Sequence, residues 1–338
     1  MENTIGIDWR DWIRRSMPQI IIGAVIGAGA LALAFRHIDW SGVGNALRNT
    51  RPSMLLAALL LTFATLVLTT TRWWLLFTPE HHERNWWVLA GAILIGQTAN
   101  VVIPGRVGEI ARMVLVGTRE RVSKARVGAT IVVEKVTDLA VFAIFAGYVL
   151  VAMTLPSWMM RSGTALTVTS ALLVVVVLAL SFWSGTLLRM VEAIARHLPE
   201  RWGRRLIALS EAALDGLRSL RDWRAGLAIW SLAALILLFS IGVNYILFLA
   251  LGLSLSPLAA VFLTVVLRIG GAPPSLPGKV GLIQYLVILA LGAFGVDRTT
   301  ALTYSFVMYA VGILPVLLAG VLSLFAFRWS EPRTAEAS

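Results

Sequence analysis

Pro104-Gly105-Arg106-Val107-Gly108 and Pro277-Gly278-Lys279-Val280-Gly281 are two copies of one pattern, Pro-Gly-base-Val-Gly, lying 173 residues apart in a chain of 338. Each interrupts an apolar region. Trp87 to Ile103 precedes the first copy and Val107 to Gly117 follows it; Pro257 to Gly271 and Gly281 to Gly295 flank the second, beside a further Pro273-Pro274. Proline removes a backbone donor and glycine tolerates unusual dihedrals, so both regions read as broken hairpins of two short helices. Non-helical backbone at membrane depth survives only when buried in protein or beside a watery cavity.

Outward from these breaks, the spacing makes the pattern an internal repeat. Each Pro-Gly pair falls 51 residues after the start of an apolar run, at Ser53 or Gly226, and each hairpin is followed by another run, from Val127 or Thr303. Six runs in all approach or exceed the ~20 residues a spanning helix needs: Pro18 to Phe35, Ser53 to Phe77, Val127 to Met153, Gly163 to Trp183, Gly226 to Leu251 and Thr303 to Phe327. The chain is 58% hydrophobic and 14% charged, where a soluble chain carries roughly 25% charged residues. The expected fold is an all-α polytopic membrane protein, with six full spans plus two broken re-entrant hairpins in an inverted repeat. Inversion follows because three full spans separate the two hairpins, so the second enters from the opposite side.

The organisation expected along the chain is a 1–52 segment holding a cytoplasmic amino terminus, the first span and an external loop, then a first repeat and its following span over 53–183, with the hairpin near 87–117. A cytoplasmic connector over 184–225 leads to a second repeat over 226–327, with its hairpin near 257–295, and a cytoplasmic tail over 328–338. Arg10, Arg14 and Arg15 before an apolar stretch resemble a signal peptide, but the stretch is long for one and reads as a span. With the amino terminus inside, eighteen Lys and Arg residues lie on the inner side and five outside, which places both termini in the cytoplasm and the protein in the plasma membrane. In the connector, Leu206, Leu209, Ala213, Leu217 and Leu220 recur at helical spacing beside Arg205, Glu211, Asp215 and Arg218, the pattern of an interfacial amphipathic helix.

The formal charge of +11 does not imply nucleic acid, because the bases cluster between spans and form no basic soluble domain. The absence of cysteine excludes disulfides, thiolate metal sites and lipidation on sulfur. His37, His81, His82 and His197 fall in predicted loops or the connector, and Glu80-His81-His82-Glu83 reads as a solvated loop before it reads as a metal site. No Walker-type loop is present. No catalytic residue, metal or cofactor is expected, and an intramembrane enzyme is the weaker rival.

Charged residues at membrane depth are costly and face a partner or a wet cavity, so they mark the candidate site. They are Arg72 late in the second span, Arg106, Glu109 and Arg112 around the first break, Glu134, Lys135 and Asp138 in the next span, and Arg268 and Lys279 flanking the second break. Glu134 and Asp138 share a helix face at i and i+4, while Lys135 and Asp138 are i and i+3, and these acids serve either a structural charge network or substrate-contacting arginines and a proton relay. Arg72 either joins the site or snorkels to the inner headgroups beside Trp73 and Trp74. The breaks at Pro104, Gly105 and Gly108, and at Pro277, Gly278 and Gly281, leave half-helix amino ends whose non-proline backbone N–H groups join Arg106 or Lys279 in binding an anionic headgroup, or else they merely end helices. Gln97, Asn100, Asn244 and Gln284 complete a polar cavity or hydrogen-bond between helices.

These residues resemble the transmembrane flippase-like region of the lysylphosphatidylglycerol synthases, also called multiple peptide resistance factors, and its stand-alone relatives. The likeness rests on Pro104 through Glu109 with Arg112, on Glu134-Lys135 with Asp138, and on Pro277-Gly278 with Gly281. It implies translocation of a phospholipid or lipid-linked compound between leaflets of a bacterial membrane, and not synthesis, since only eleven residues follow Phe327 where an aminoacyl-transferase portion would stand. Lys279 and Gln284 depart from the Gly and Glu common in the second motif, which removes the carboxylate that coupling through that site would use. A scaffold or accessory subunit for a lipid-modifying enzyme is the other class left open.

Overall fold

A computed structural model describes residues 40–78, 80–103, 107–152, 184–197, 222–271 and 277–329, with single helical positions at 168, 172, 203, 207, 210 and 211. Apart from those single positions, the runs at Pro18 to Phe35 and Gly163 to Trp183, the amphipathic pattern between Arg205 and Leu220, and the Pro104-Gly105-Arg106 tripeptide lie outside the described residues.

All regular structure among the described residues is helical: α1 (Trp40–Arg48), α2 (Pro52–Leu75), α3 (Trp86–Val102), α4 (Gly108–Arg119), α5 (Lys124–Ala152), α6 (Ser184–Ala195), α7 (Trp223–Ala250), α8 (Pro257–Gly270), α9 (Leu282–Gly292), α10 (Arg298–Gly312) and α11 (Leu314–Trp329). Four segments are long and apolar enough to cross a bilayer: α2, α5, α7, and the stretch Arg298–Phe325 formed by α10 and α11. They coincide with four of the six runs read from the sequence. The last was expected to be one continuous helix. It breaks after Gly312 because Pro315 has no N–H to offer the carbonyl of Val311, and its ring crowds that carbonyl.

The two broken regions form pairs of short helices. α3 and α4 fold back antiparallel, with Gly96 and Asn100 facing Gly108 across the pair. α8 and α9 do the same, with Gly270 against Leu286. The second turn needs left-handed backbone at Gly278, Lys279 and Gly281, with φ of 68°, 58° and 85°. Two of those three positions are glycine, the residue that adopts this conformation without a Cβ penalty. A Cβ at Gly278 would run into the Tyr309 hydroxyl, which donates to the Gly278 carbonyl at 2.7 Å.

The contacts between helices exchange the two repeats. α2 packs against α7, and several pairings of one half have a counterpart in the other: α3 with α4 and α8 with α9, α4 with α5 and α9 with α10, α5 with α8 and α11 with α3. The direction is fixed by two contacts. The N–H of Arg51, at the start of α2, donates to the carbonyl of Ala250, at the end of α7 (2.9 Å), and Gly242 lies against Leu61. α2 and α7 therefore run antiparallel. The end of α3 also meets the Pro277–Lys279 turn, with Val101 beside Gly278, which brings the second break against the helix that leads into the first.

Burial follows the same division. One apolar core is centred on α7 to α10 and takes in Val141, Phe142 and Val149 of α5. The other, around Trp73, Phe77, Leu89, Ile93, Val116 and Ile131, fills the first repeat. The charged residues sit where α5 passes from one core to the other.

Candidate functional site

α5 carries Glu134, Asp138 and Phe142 at successive i+4 positions, one stripe running through the middle of a 29-residue helix. Three arginines from three other helices meet that stripe in turn. Arg112 of α4 donates from Nη1 and Nη2 to the two oxygens of Glu134 at 3.1 and 2.7 Å, a bidentate pair with both side chains buried. Arg72 of α2 donates from Nη1 to Asp138 Oδ1. Arg268 of α8 holds its guanidinium carbon 5.7 Å from the Phe142 ring centroid.

The three steps differ in what satisfies the cation. At the first, the guanidinium of Arg112 also lies over the Trp73 ring, 4.0 Å from its centroid, and Trp73 is itself locked by a hydrogen bond from Nε1 to Thr130 Oγ1 at 3.0 Å. At the second, Arg72 is 1% exposed and Asp138 29%, so the arginine is enclosed while its carboxylate partner is reachable. Of the two readings for Arg72, the structure takes the inward one. At the third, Arg268 is exposed and forms no ion pair among the described residues. A ring stands where the stripe would place a third acid.

A second branch joins the hairpin to this ladder. Lys135 lies 3.5 Å from Glu109 and 3.6 Å from Glu134, and Asn100 Nδ2 donates to Glu109 at 3.3 Å. Asn100 Oδ1 meanwhile accepts from the N–H of Gly108 at 2.7 Å. In the other repeat the equivalent glycine, Gly281, donates to Gln284 Oε1, also at 2.7 Å. Both hairpins therefore cap the amino end of their second helix with a side-chain amide oxygen. At Gly108 and Gly281 the backbone donors expected to await a ligand are already taken.

Glu109, Arg112, Glu134 and Lys135 are thus joined by ion pairs, with Asn100 and Gly108 at their hairpin end, while Arg72 and Asp138 form a second pair one turn along α5 and Arg268 lies a turn beyond that. Gln97 is exposed and makes no hydrogen bond among the described residues. Lys279 donates from Nζ to the Gly271 carbonyl at 2.5 Å, across its own hairpin. Pro277 and Gly278 form the turn, and Gln284 turns back on Gly281. Asn244 bonds to Thr264 Oγ1 at 3.0 Å and accepts from Tyr304 at 2.8 Å, a neutral network in the second repeat. Pro104, Gly105 and Arg106 lie outside the described residues.

Three positions that matter to this geometry were not singled out as site residues by the sequence. Trp73 and Phe142 carry the arginine faces, and Gly96 leaves room for Arg112, whose Cγ a Cβ there would meet at 2.7 Å. Phe142 had a legible signal in its i+8 spacing from Glu134. Gly96 had none, since a helical glycine does not name what approaches it. Among the described residues no group of three or more His, Asp or Glu side chains is placed to hold a metal ion.

The chain shares 31% identity over 134 residues with a protein named glycosyltransferase AglD from Haloferax volcanii. That match takes in 40% of this chain and 22% of the archaeal protein, so the likeness spans about a fifth of the relative's length. No solved structure matches the chain. The model of the lysylphosphatidylglycerol synthase transmembrane region matches residues 20–320, nearly the whole of this multi-pass helical chain, which therefore belongs to that family.

Proposed function

We propose that this protein is a transporter that carries a phospholipid, or another lipid-linked anionic compound, between the leaflets of the bacterial plasma membrane. The observation that carries the reading is the charged ladder along the middle of α5, ending at Arg268, which forms no ion pair among the described residues. Ionisable groups at that depth are costly, and such groups mark substrate paths in membrane proteins. In this reading the chain has six spans and the two hairpins are re-entrant, entering from opposite faces, with both termini cytoplasmic. Antiparallel α2 and α7, and α3, α4, α8 and α9 at 17, 12, 14 and 11 residues, support it. Helices of that length fall short of a bilayer core of about 30 Å.

Arg106 and Lys279 guide the headgroup at the two breaks while the acyl tails stay in hydrocarbon. The test is reconstitution into vesicles with labelled anionic and neutral lipids, comparing the parent with Arg106→Glu and Arg106→Lys. Charge reversal is expected to slow anionic transport by roughly ten- to a hundredfold, the worth of one charge-assisted hydrogen bond. Lysine keeps the charge but loses the guanidinium fork, and is expected to slow it less. Equal transport by folded Arg106→Glu would remove Arg106 from the path.

A second reading draws on the partial likeness to a protein named a glycosyltransferase. The chain would then be an accessory membrane subunit for a separate lipid-modifying enzyme. A parent that moves no lipid but stimulates such an enzyme in the same vesicles would favour it.

A further inference from the structure

The ladder along α5 is asymmetric in a way that a structural charge network does not require. Arg112 is closed off by a two-pronged carboxylate and a tryptophan face. Arg72 is held by a single bond to a carboxylate that remains partly exposed, where Arg112 has two bonds to a buried one. Arg268 lies one helical turn further along the stripe, exposed, within electrostatic range of both Asp138 and Arg72. Asp138 and Phe142 are one helical turn apart, about 5.4 Å of rise, so Asp138 lies within electrostatic range of both cations and, among the described residues, hydrogen-bonds Arg72 but not Arg268.

We infer that Asp138 is a tethered competitor for the substrate's anion: in the empty protein it occupies Arg72, and an anionic lipid headgroup that lands on Arg268 displaces it and bridges the two arginines. The inference rests on the transport reading above and adds to it the landing residue and the group that ejects the cargo. The chemistry fits an oxyanion of a headgroup, since a guanidinium fork donates to two oxygens and Phe142 supplies an apolar floor beside it. Displacement exchanges one carboxylate–arginine bond for another anion–arginine bond, so the net energy stays small. Return of Asp138 to Arg72 then releases the headgroup. A carrier needs binding strong enough to load and weak enough to unload, and a built-in rival provides the second.

The test uses the full-length protein in detergent, with short-chain phosphatidylglycerol as the anionic probe, phosphatidylcholine of the same chain length as the neutral one, and inorganic phosphate. Asp138→Asn removes the rival's charge and keeps its shape. It is expected to bind the anionic probe roughly tenfold more tightly while slowing its transport in vesicles, a split that a merely structural aspartate would not produce. Asp138→Glu keeps the rival and is expected to bind no more tightly than the parent. Arg268→Gln is expected to lose the anionic probe by a similar factor, with partial recovery in Arg268→Lys, and neither is expected to alter binding of the neutral probe. Weaker or unchanged probe binding by Asp138→Asn, with its thermal unfolding intact, would overturn the competitor role. If Asp138→Asn does not fold, tighter probe binding by Asp138→Glu than by the parent would overturn it instead. Displacement of the probe by an equal concentration of inorganic phosphate would overturn the assignment to a lipid headgroup. Tighter binding by Asp138→Asn, with no transport by the parent of any lipid, would uphold the binding site while defeating the transport reading.

Discussion

Arg112 gives both terminal nitrogens to Glu134 and the face of its guanidinium to Trp73, and among the described residues its Nε alone has no partner. Removing one member of such a buried pair leaves an uncompensated charge, which costs about 3–5 kcal/mol. Glu134→Gln is therefore expected to lower the thermal unfolding midpoint in detergent sharply. The double variant Arg112→Gln with Glu134→Gln should lose less than the two single losses added together, because the second change removes the orphaned charge. Additive losses would show that the pair does not act as a unit. The site is also lopsided at this scale. Counting 173 residues on, Tyr245 and Tyr285 stand where Arg72 and Arg112 do, and Val307 and Val311 stand where Glu134 and Asp138 do. One repeat carries the ladder; the other contributes only Arg268 to it.

Elements meet at small residues and are closed by caps. Gly320 of α11 faces α3 so closely that a Cβ would strike the Thr98 hydroxyl and lie 2.7 Å from the Leu94 carbonyl. Without a strong hydrophobic force between helices in lipid, such close approach is what holds them. Gly320→Ala is expected to destabilise by about 1–3 kcal/mol, as overpacking does, measured by unfolding in detergent. Thr98→Ala should recover only part of the loss, because the Leu94 carbonyl is backbone and cannot retreat. At the start of α10, Asp297 caps the helix by accepting from the N–H of Thr300 at 3.0 Å. Partial burial pushes its carboxyl up, but the hydrogen bonds from Thr300 outweigh this and hold it below the ordinary aspartate range. A depressed folded-state value means the cap's contribution is present above the unfolded value, near pH 4, and is lost as pH falls through the folded one. Asp297→Ala is expected to cost about 1 kcal/mol at neutral pH. Asp297→Asn should keep the cap and shed its share of the acid dependence, and unfolding midpoints taken at neutral and acid pH for both variants check this.

For the whole molecule, the antiparallel seam between α2 and α7 is the feature on which the proposed inverted repeat rests. The chain has no cysteine, so introduced pairs have no background. Leu61→Cys with Gly242→Cys is expected to cross-link on mild oxidation in membranes, since these residues touch across the seam. Leu61→Cys with Ala234→Cys, the pair that parallel helices would align, should not. Retention of one band after cleavage at a protease site placed in the connector reads the outcome. Cross-linking by the second pair alone would overturn the inverted arrangement.

Much of the architecture was legible in the sequence because it depends on local properties. A run of apolar residues long enough to cross a bilayer, a proline that cannot donate, and a five-residue pattern that recurs at one spacing each carry their meaning without knowledge of distant neighbours. α2, α5, α7 and the four short helices lie where the runs and breaks place them. The break at Gly312 was legible too, in Pro315, but hidden by the apolar length of the run around it. The charges were legible as a set and not as pairs. Arg72 and Asp138 are 66 residues apart, and Arg112 and Glu134 are 22 apart. The i and i+4 spacing of Glu134 and Asp138 shows that they share a face, yet nothing in it says which arginine each one meets. The packing of α2, α4 and α8 around α5 decided that, by bringing each arginine to a different turn of the same stripe. A charge buried at that depth is stable only beside its partner, and which partner it has depends on where the helices pack.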